Sequence, residues 1–597
     1  MERVASPLQG TVVAVGVAVG DVVAAGSELV VIESMKMEHA VVAPVAGRVA
    51  SLSATVGLTV LPGDPLVDIV AGISAESGAS DPSAPSKPSA PVARVDLAEV
   101  RDRHDRTLDA HRPEAVARRH DRRRRTAREN VDDLVDAGSF VEYAPLVVAA
   151  QRRRRSHEEL VERTPADGLV GGIGTVSGRS VVAMSYDYTV LAGTQGLWNH
   201  MKKDRLFALA ERLRLPVVLF AEGGGGRPGD TDGLGVSGLD CMAFHLFGRL
   251  AGRVPLVGIA SGYCFAGNAA LLGCCDLVIA TPDAHIAMGG PAMIEGGGLG
   301  VYAPDEIGPV GVQVANGVVD VLAADEADAV ATARRWLALL AGPVAEWECA
   351  DQEVLRDLVP ERRTRAYDVR AVVETVADTG SVLEVRAGFG RAMVTVLARV
   401  EGRTVGIVAN DPSHLGGAID AEAADKAARF LGLCDRSAVP VVFLCDTPGF
   451  MVGPESEAVG AVRRMAQLFV TGANLSVPCG TVVLRKGYGL GAQAMAAGSL
   501  KAPVFCVSWP TGEFGGMNLE GAVRLGMRRE LDAIADPVER EAAFDAMVAR
   551  MYEHGRAVNT AEHFEIDDVI DPADTRRWIA AMLRAASEPA VGEMTPG

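Results

Sequence analysis

The sequence predicts a multidomain chain, an N-terminal all-β flattened barrel followed by two tandem α/β domains. Two internal repeats and one compositional break predict it. In the first repeat Pro7, Gly10, Val19, Gly26, Leu29 and Ile32 return as Pro44, Gly47, Val56, Gly63, Leu66 and Ile69, each 37 positions later. In the second, Gly178-Arg179, Asp187, Leu191, Gly193, Lys202, Arg205, Pro216-Val217-Val218 and Gly267 return 224 positions later. Their counterparts are Gly402-Arg403, Asp411, Leu415, Gly417, Lys426, Arg429, Pro440-Val441-Val442 and Gly491. A register that stays constant over so many matches marks duplication rather than composition. The break is the Ser/Pro/Ala-rich stretch 72–93, which has no hydrophobic period. At 597 residues the chain is too long for one core.

In residues 1–71, alternating Val, Ala and Leu runs punctuated by Gly and Gly-Asp read as short strands and tight turns. Each copy of the repeat is then a small antiparallel sheet, and two copies packed face to face make a pseudo-twofold barrel. Only 33–43 separates the copies, so Glu33-Ser34-Met35-Lys36-Met37-Glu38-His39 becomes an exposed hairpin with Lys36 near its tip. A lone lysine in a turn is ordinarily just solvated. Met35-Lys36-Met37 at the centre of a tandem β repeat, however, resembles the Ala-Met-Lys-Met hairpin of biotin carrier domains. That resemblance implies the biotinyl/lipoyl-like fold, biotin attached to Lys36 between Met35 and Met37, and a biotin protein ligase as partner. Lipoyl domains share the fold but usually carry Asp-Lys-Ala. Ser34 departs from the alanine of most relatives.

Fully extended, the roughly 20 linker residues reach ~70 Å, a span suited to a carrier that visits two distant sites. Residues 94–165 form a basic helical lead-in segment with Arg118-Arg119, Arg122–Arg125 and Arg152–Arg155. Interleaved Asp, Glu and His make these runs solvated helix faces rather than a nucleic-acid patch. Pairing with an anionic ligand's phosphates or with a partner subunit is the other role such runs can serve.

Net charge is −19, apolar content 48% and charged content 23%, a globular mixture that argues against nucleic acid as the main partner. No apolar run of eighteen residues is present, so no membrane span is expected. Nine cysteines without CxxC spacing, several in apolar runs, read as reduced buried thiols of a cytoplasmic protein. No HExxH or other metal-ligand motif is found, and no Ser/His/Asp triad.

The α/β domains, 166–360 and 361–590, alternate β-branched runs such as Val217–Phe220 and Val254–Ala260 with Ala-rich helical stretches. The second contains Asp446-Thr447-Pro448-Gly449-Phe450, Arg485-Lys486-Gly487-Tyr488-Gly489-Leu490-Gly491-Ala492 and Trp509-Pro510-Thr511-Gly512-Glu513. The first contains Glu222-Gly223-Gly224-Gly225-Gly226-Arg227 and Cys264-Phe265-Ala266-Gly267-Asn268-Ala269. Together, and with Arg124–Tyr143 as the start of the match, they resemble the carboxyltransferase subunits of acetyl- and propionyl-CoA carboxylases, whose two halves each have the crotonase fold. The resemblance implies transfer of CO2 from carboxybiotin on Lys36 to the α-carbon of an acyl-CoA through an enolate.

Such a reaction develops negative charge on the thioester oxygen and on the ureido oxygen of biotin. Preorganised backbone N–H groups stabilise charge of this kind, and removing one donor typically lowers rates by ~10²–10³. Glycines let the main chain approach a ligand closely. The resemblance implies one oxyanion hole per half: Gly267 and Asn268 for the acyl-CoA enolate, Gly489 and Gly491 for biotin. It places Gly449 and Phe450 beside biotin, and Gly223, Gly224, Gly225, Gly226, Arg227 and Ala266 beside the substrate. Side chains then position reactants and exclude water rather than move protons. Relatives usually have Gly-Gly where this chain has Gly267-Asn268, so the Asn268 side chain is expected to narrow the pocket. Asp305-Glu306-Ile307-Gly308-Pro309 stands where many carry Glu-Leu-Gly-Gly-Ala.

Nothing in these residues resembles an ATP-grasp biotin carboxylase, and ATP and Mg are expected on a separate biotin carboxylase subunit. The family's habit of facing one chain's acyl-CoA pocket with another's biotin pocket implies a homo-oligomer, a dimer or a hexamer. Two other readings share these residues: a carboxyacyl-CoA decarboxylase or transcarboxylase, and a non-catalytic carrier and assembly subunit.

Overall fold

The computed structural model describes residues 1–72, 94–233 and 236–587. It divides into two units, Met1–Arg94 and Val95–Gly597. Apart from Gly72, the expected linker lies outside the described residues.

The first unit has eight strands: β1 (Glu2–Ala5), β2 (Gly10–Val15), β3 (Val22–Val23), β4 (Glu28–Ser34), β5 (Met37–Val42), β6 (Gly47–Leu52), β7 (Thr59–Val60) and β8 (Pro65–Ala71). Strands β2, β3 and β4 map onto β6, β7 and β8 at the 37-residue offset. The sheets, however, do not follow the copies. One has the order β1-β8-β6-β3 and the other β5-β4-β2-β7, so each takes two strands from each copy. This corrects the expectation of one sheet per copy. The cause is local: a two-residue turn joins β4 to β5, and strands so joined must pair side by side. Since β4 closes the first copy and β5 opens the second, the copies are compelled to exchange strands.

Leu29, Ile32, Leu66 and Ile69, two repeat pairs, are completely buried between the sheets. Each contributes about 1.5–3 kcal/mol by burial. The repeated glycines mark where neighbouring strands of one sheet approach too closely for a side chain. A Cβ on Gly10 would lie 2.4 Å from the Glu33 carbonyl oxygen, and one on Gly47 2.4 Å from that of Val70.

The second unit holds two sheets of the same plan. The first comprises β9 (Val141–Glu142), β10 (Leu169–Val176), β11 (Arg179–Tyr186), β12 (Val217–Phe220), β13 (Leu256–Ala260), β15 (Leu277–Ala280) and β17 (Val321–Leu322), hydrogen-bonded in that order. Beside it β14 (Tyr263–Phe265) pairs in parallel with β16 (His285–Ala287). The second comprises β18 (Leu383–Val385), β19 (Met393–Val400), β20 (Arg403–Asn410), β21 (Val441–Thr447), β22 (Cys479–Tyr488), β23 (Phe505–Ser508) and β25 (Asp568–Val569), with β24 (Glu513–Gly515) against the end of β22. In each, an antiparallel hairpin (β10–β11, β19–β20) leads into parallel strands. Strands β19 and β20 span the residues of β10 and β11 displaced by 224. The parallel strands read as unbroken apolar runs because helices cover both faces; Val217–Phe220 and Val441–Leu444 are wholly buried.

The duplication also reaches into the lead-in segment. Helix Ala127–Leu134 and β9 belong to the first sheet's domain, as helix Val369–Val376 and β18 belong to the second's. Arg128 pairs with Glu142 at 2.9 Å, and Arg370 with Glu384 at 2.7 Å. The expectation of solvated arginine faces holds only in part. Arg119 is buried, donating to both Glu222 carboxylate oxygens at 3.0 and 2.7 Å, and Arg124 adds a third bond to Glu222 at 2.8 Å. A basic run does not distinguish a guanidinium facing water from one folded over a buried carboxylate.

Candidate active site

Lys36 occupies a two-residue turn between Ser34 and Met37, which pair across the hairpin. Met35 and Lys36 have φ of 51° and 65°. A type I′ hairpin demands two positive φ values, normally supplied by Asn-Gly, and an L-residue there costs roughly 1–2 kcal/mol. The turn holds this strain, leaving Met35 96% and Met37 65% exposed and Lys36 open to solvent. An exposed amine on a rigid, projecting turn fits covalent attachment of biotin.

In the first half of the second unit, the Gly223–Gly226 loop leaves β12 and is held from two sides. Gly223 bridges to Cys264, with Gly223 N donating to Tyr263 O at 2.7 Å and Phe265 N to Gly223 O at 2.9 Å. Gly226 bridges to Gln195, through Gln195 N to Gly225 O at 2.7 Å and Arg227 N to Gln195 O at 2.9 Å. Helix Gly267–Gly273 starts immediately alongside. Its leading residue, Ala266, has φ 51°, and the loop touches it: a Cβ on Gly225 would lie 2.7 Å from that of Ala266. The first N–H groups of a helix have no partner within it, and here they lie beside the loop, so that loop and helix start form one corner.

Two predicted residues behave differently from expectation. Asn268 does not narrow the corner. Its side chain is fully buried beneath the loop, Oδ1 accepting from Gly225 N and from Gln195 Nε2, both at 3.1 Å. The Arg227 guanidinium does not face a ligand. It is committed to Asp167, Asp230 and the backbone and hydroxyl oxygens of Thr194. Both residues shape the loop from behind.

The second half repeats the arrangement. Ile419 bridges to Phe450 as Gln195 does to Gly226, the same positions displaced by 224. Helix Gly489–Ala494 starts beside this loop, and a Cβ on Gly491 would fall 2.7 Å from Gly449 Cα. Asp446, wholly buried at the end of β21, accepts from Tyr367 Oη at 3.0 Å, Arg485 Nε at 3.1 Å and Lys486 N at 3.1 Å, and pairs with Lys486 Nζ at 2.8 Å. A cavity of about 720 Å³ opens from Gly487, Gly489 and Leu490 towards Gln493, His554 and Asn559.

Sequence reasoning missed several residues here. His554 and Asn559 come from an unremarkable helical stretch far along the chain. Gln195 and Lys203 were also missed. Lys203 is fully buried, donating to Gln195 Oε1 at 2.7 Å and Tyr186 Oη at 3.1 Å, and burial pushes its pKa down to about 7. Aligning the halves at 224 would have exposed both, because Ile419 and Ala427 stand at the matching positions.

Comparison with known proteins accords with this geometry. Residues 118–595 match the carboxyl transferase domain family, and residues 2–69 match the family of biotin-requiring enzymes. The chain is 36% identical over 485 residues to the methylmalonyl-CoA carboxyltransferase 12S subunit of Propionibacterium freudenreichii subsp. shermanii, covering 78% of this chain and 90% of that one. Among solved structures, a single-chain, multi-domain long-chain acyl-CoA carboxylase is 55% identical with a TM-score of 0.80. The match covers 97% of this chain and 56% of that one, so this chain spans little more than half of that enzyme. The transcarboxylase 12S hexamer core, solved with methylmalonyl-CoA, is 32% identical with a TM-score of 0.72, covering 84% and 97%. Two crotonase-fold halves behind a biotinyl-type barrel place the chain in the carboxyl transferase family, as the carboxyltransferase of a biotin-dependent acyl-CoA carboxylase.

Proposed function

We propose that the chain carboxylates the α-carbon of a long-chain acyl-CoA, with biotin on Lys36 as the carrier. Biotin bound there supplies a transferable carboxyl group; the remaining work falls to the chain's own main-chain donors. The observation that carries the reading is the recurrence of one corner in both halves: a loop held by an isolated bridge (Gln195–Gly226, Ile419–Phe450) beside a helix that starts at Gly267 or Gly489. The first corner, walled by Gly223, Gly224, Gly225, Gly226 and Ala266, holds the thioester oxygen as it gains charge through the N–H groups at the start of helix Gly267–Gly273, which have no partner within the helix. The second, with Gly449, Phe450, Gly489 and Gly491, holds the ureido oxygen. Asn268 and Arg227 keep the first loop in shape. Such preorganised donors need no proton transfer by side chains.

Two supports favour a long acyl chain. One is the 55% identity to the long-chain enzyme. The other is an exposed apolar segment beside the first corner, with Met288, Met293, Leu299, Val301 and Tyr302. It follows β16, whose Ala287 O accepts from Ala266 N at 3.0 Å, and a Cβ on Gly290 would meet the Phe265 ring at 3.2 Å. A second reading, transcarboxylation between CoA esters, rests on the likeness to the 12S subunit. A homo-oligomer, a biotin carboxylase partner carrying ATP and Mg, a biotin protein ligase and a cytoplasmic setting complete the proposal; among the described residues no helix is long and apolar enough to cross a membrane.

The test is the half-reaction. Biotinylated protein is mixed with malonyl-, methylmalonyl- and long-chain carboxyacyl-CoA, and loss of the carboxyl group is followed. The reading expects loss that is fastest with the long-chain ester and abolished in Lys36→Arg. Loss from short esters alone would refute the chain-length assignment, and no Lys36-dependent loss would refute the reaction.

A further inference from the structure

The duplication serves as an internal control on what the fold itself needs. In the first half a buried polar chain runs Tyr186, Lys203, Gln195, Asn268, Gly225. Lys203 Nζ donates to Tyr186 Oη at 3.1 Å and to Gln195 Oε1 at 2.7 Å. Gln195 Nε2 donates to Asn268 Oδ1 at 3.1 Å, which also accepts from Gly225 N at 3.1 Å. Tyr186, Gln195, Lys203 and Asn268 are all buried. At the matching positions of the second half stand Asn410, Ile419, Ala427 and Ala492. The second half builds the same strands, bridge and helix start with three of these four positions apolar. The fold therefore does not require the chain of hydrogen bonds, and burying an ammonium without a carboxylate partner is costly. Something specific to the first corner retains it.

We propose that Lys203 is the positioning residue of the first corner: its ammonium fixes which way the Gln195 amide points, and through Asn268 this sets Gly225 and the Gly223–Gly226 loop. Rotating the Gln195 amide would turn an oxygen towards Asn268 Oδ1 and break the chain, and an ammonium at Oε1 forbids that rotation because it can only donate. The Gln195 amide also packs against the helix start, where a Cβ on Gly267 would meet its nitrogen at 3.2 Å and its oxygen at 3.3 Å. The chain thus supports both walls of the corner, and it places a positive charge behind the site where the proposed enolate gains negative charge. The inference rests on the proposed assignment of this corner to the acyl-CoA. It also gives Asn268 a role, because its side-chain oxygen is what links Gln195 to Gly225.

Burial, opposed by the charges of Cys241, Asp204 and Asp167, brings the Lys203 pKa to about 7. The groups around it are Tyr186 on β11, His200 and Asp204 on its own helix, Cys241 ahead of helix Ala243–Leu250, Asp167 before β10, and Arg227 on the loop. The charged form acts below that value and is lost as pH rises through it.

The test compares biotinylated wild-type protein with Lys203→Met and Asn268→Gly by two measurements. The first is the half-reaction with a long-chain carboxyacyl-CoA from pH 6 to 9. Lys203→Met is expected to lower kcat on the order of 10²-fold with a KM change of only a few-fold, and to lack the fall in kcat expected of the wild type as pH rises past 7. Asn268→Gly is expected to lose the same pH dependence while Lys203 is still present. The second is hydrogen exchange, by mass spectrometry, of the peptides carrying 223–226 and 447–450, which needs no activity. Both variants are expected to speed exchange at 223–226 and leave 447–450 unchanged. Wild-type exchange at 223–226 in Lys203→Met overturns the inference whatever the activity, as does an unchanged pH profile. Faster exchange confined to 223–226 in an enzyme with no wild-type turnover upholds the positioning and refutes the assigned reaction instead. Faster exchange at both peptides marks general loosening and overturns it.

Discussion

At the scale of single residues, buried charge is spent on holding loops. Asp446 has no exposed surface and gathers Tyr367, Arg485 and Lys486 at the end of β21, directly before Thr447-Pro448-Gly449-Phe450. Glu222 does the same for Arg119 and Arg124 directly before Gly223. Removing one member of such a group strands the others in low dielectric. Asp446→Ala is therefore expected to destabilise the chain by about 3–5 kcal/mol, read as a lower denaturant midpoint, with Asp446→Asn losing less. An unchanged midpoint would mean that water reaches Arg485. None of this was legible beforehand. The Asp-Thr-Pro-Gly-Phe motif could be recognised, but not that its aspartate faces inward, because a sequence lists charges without their partners.

At the scale of elements, the two helix starts differ in how tightly they are fitted. At Gly491 an added Cβ meets backbone, Gly449 Cα at 2.7 Å and its carbonyl carbon at 2.9 Å. At Gly267 it meets only side-chain ends, the Gln195 amide at 3.2 Å and Phe244 Cζ at 3.2 Å. Side-chain ends can yield by a few tenths of an ångström, and a packed main chain cannot. Gly491→Ala is expected to abolish the half-reaction, whereas Gly267→Ala keeps measurable turnover; equal rates for the two would contradict the fit described here. The existence of both helix starts was readable from glycines 224 positions apart. Their unequal fit was not, because it depends on which loop lies opposite. The same limit hid the strand partition of the barrel: alternation tells which residues face inward, not which strand lies next door.

At the scale of the whole molecule, the apolar residues left exposed around the second corner, among them Val452, Val459, Val462 and Leu490, call for cover. A second copy of the chain fits the proposed pairing of one chain's first corner with another's second, so light scattering on the purified protein is expected to give a dimer or a hexamer. A monomer would refute that part of the proposal. The two repeats also differ in how freely their copies can diverge. In the barrel each sheet is woven from both copies, so an altered core residue in either is felt by both sheets, and Leu29 and Leu66, or Ile32 and Ile69, are bound to a common fate. In the second unit each copy keeps a sheet to itself. One copy could therefore take on a buried lysine, a glutamine and an asparagine while its twin stayed apolar at those places, and a duplicated fold came to hold two sites of different character.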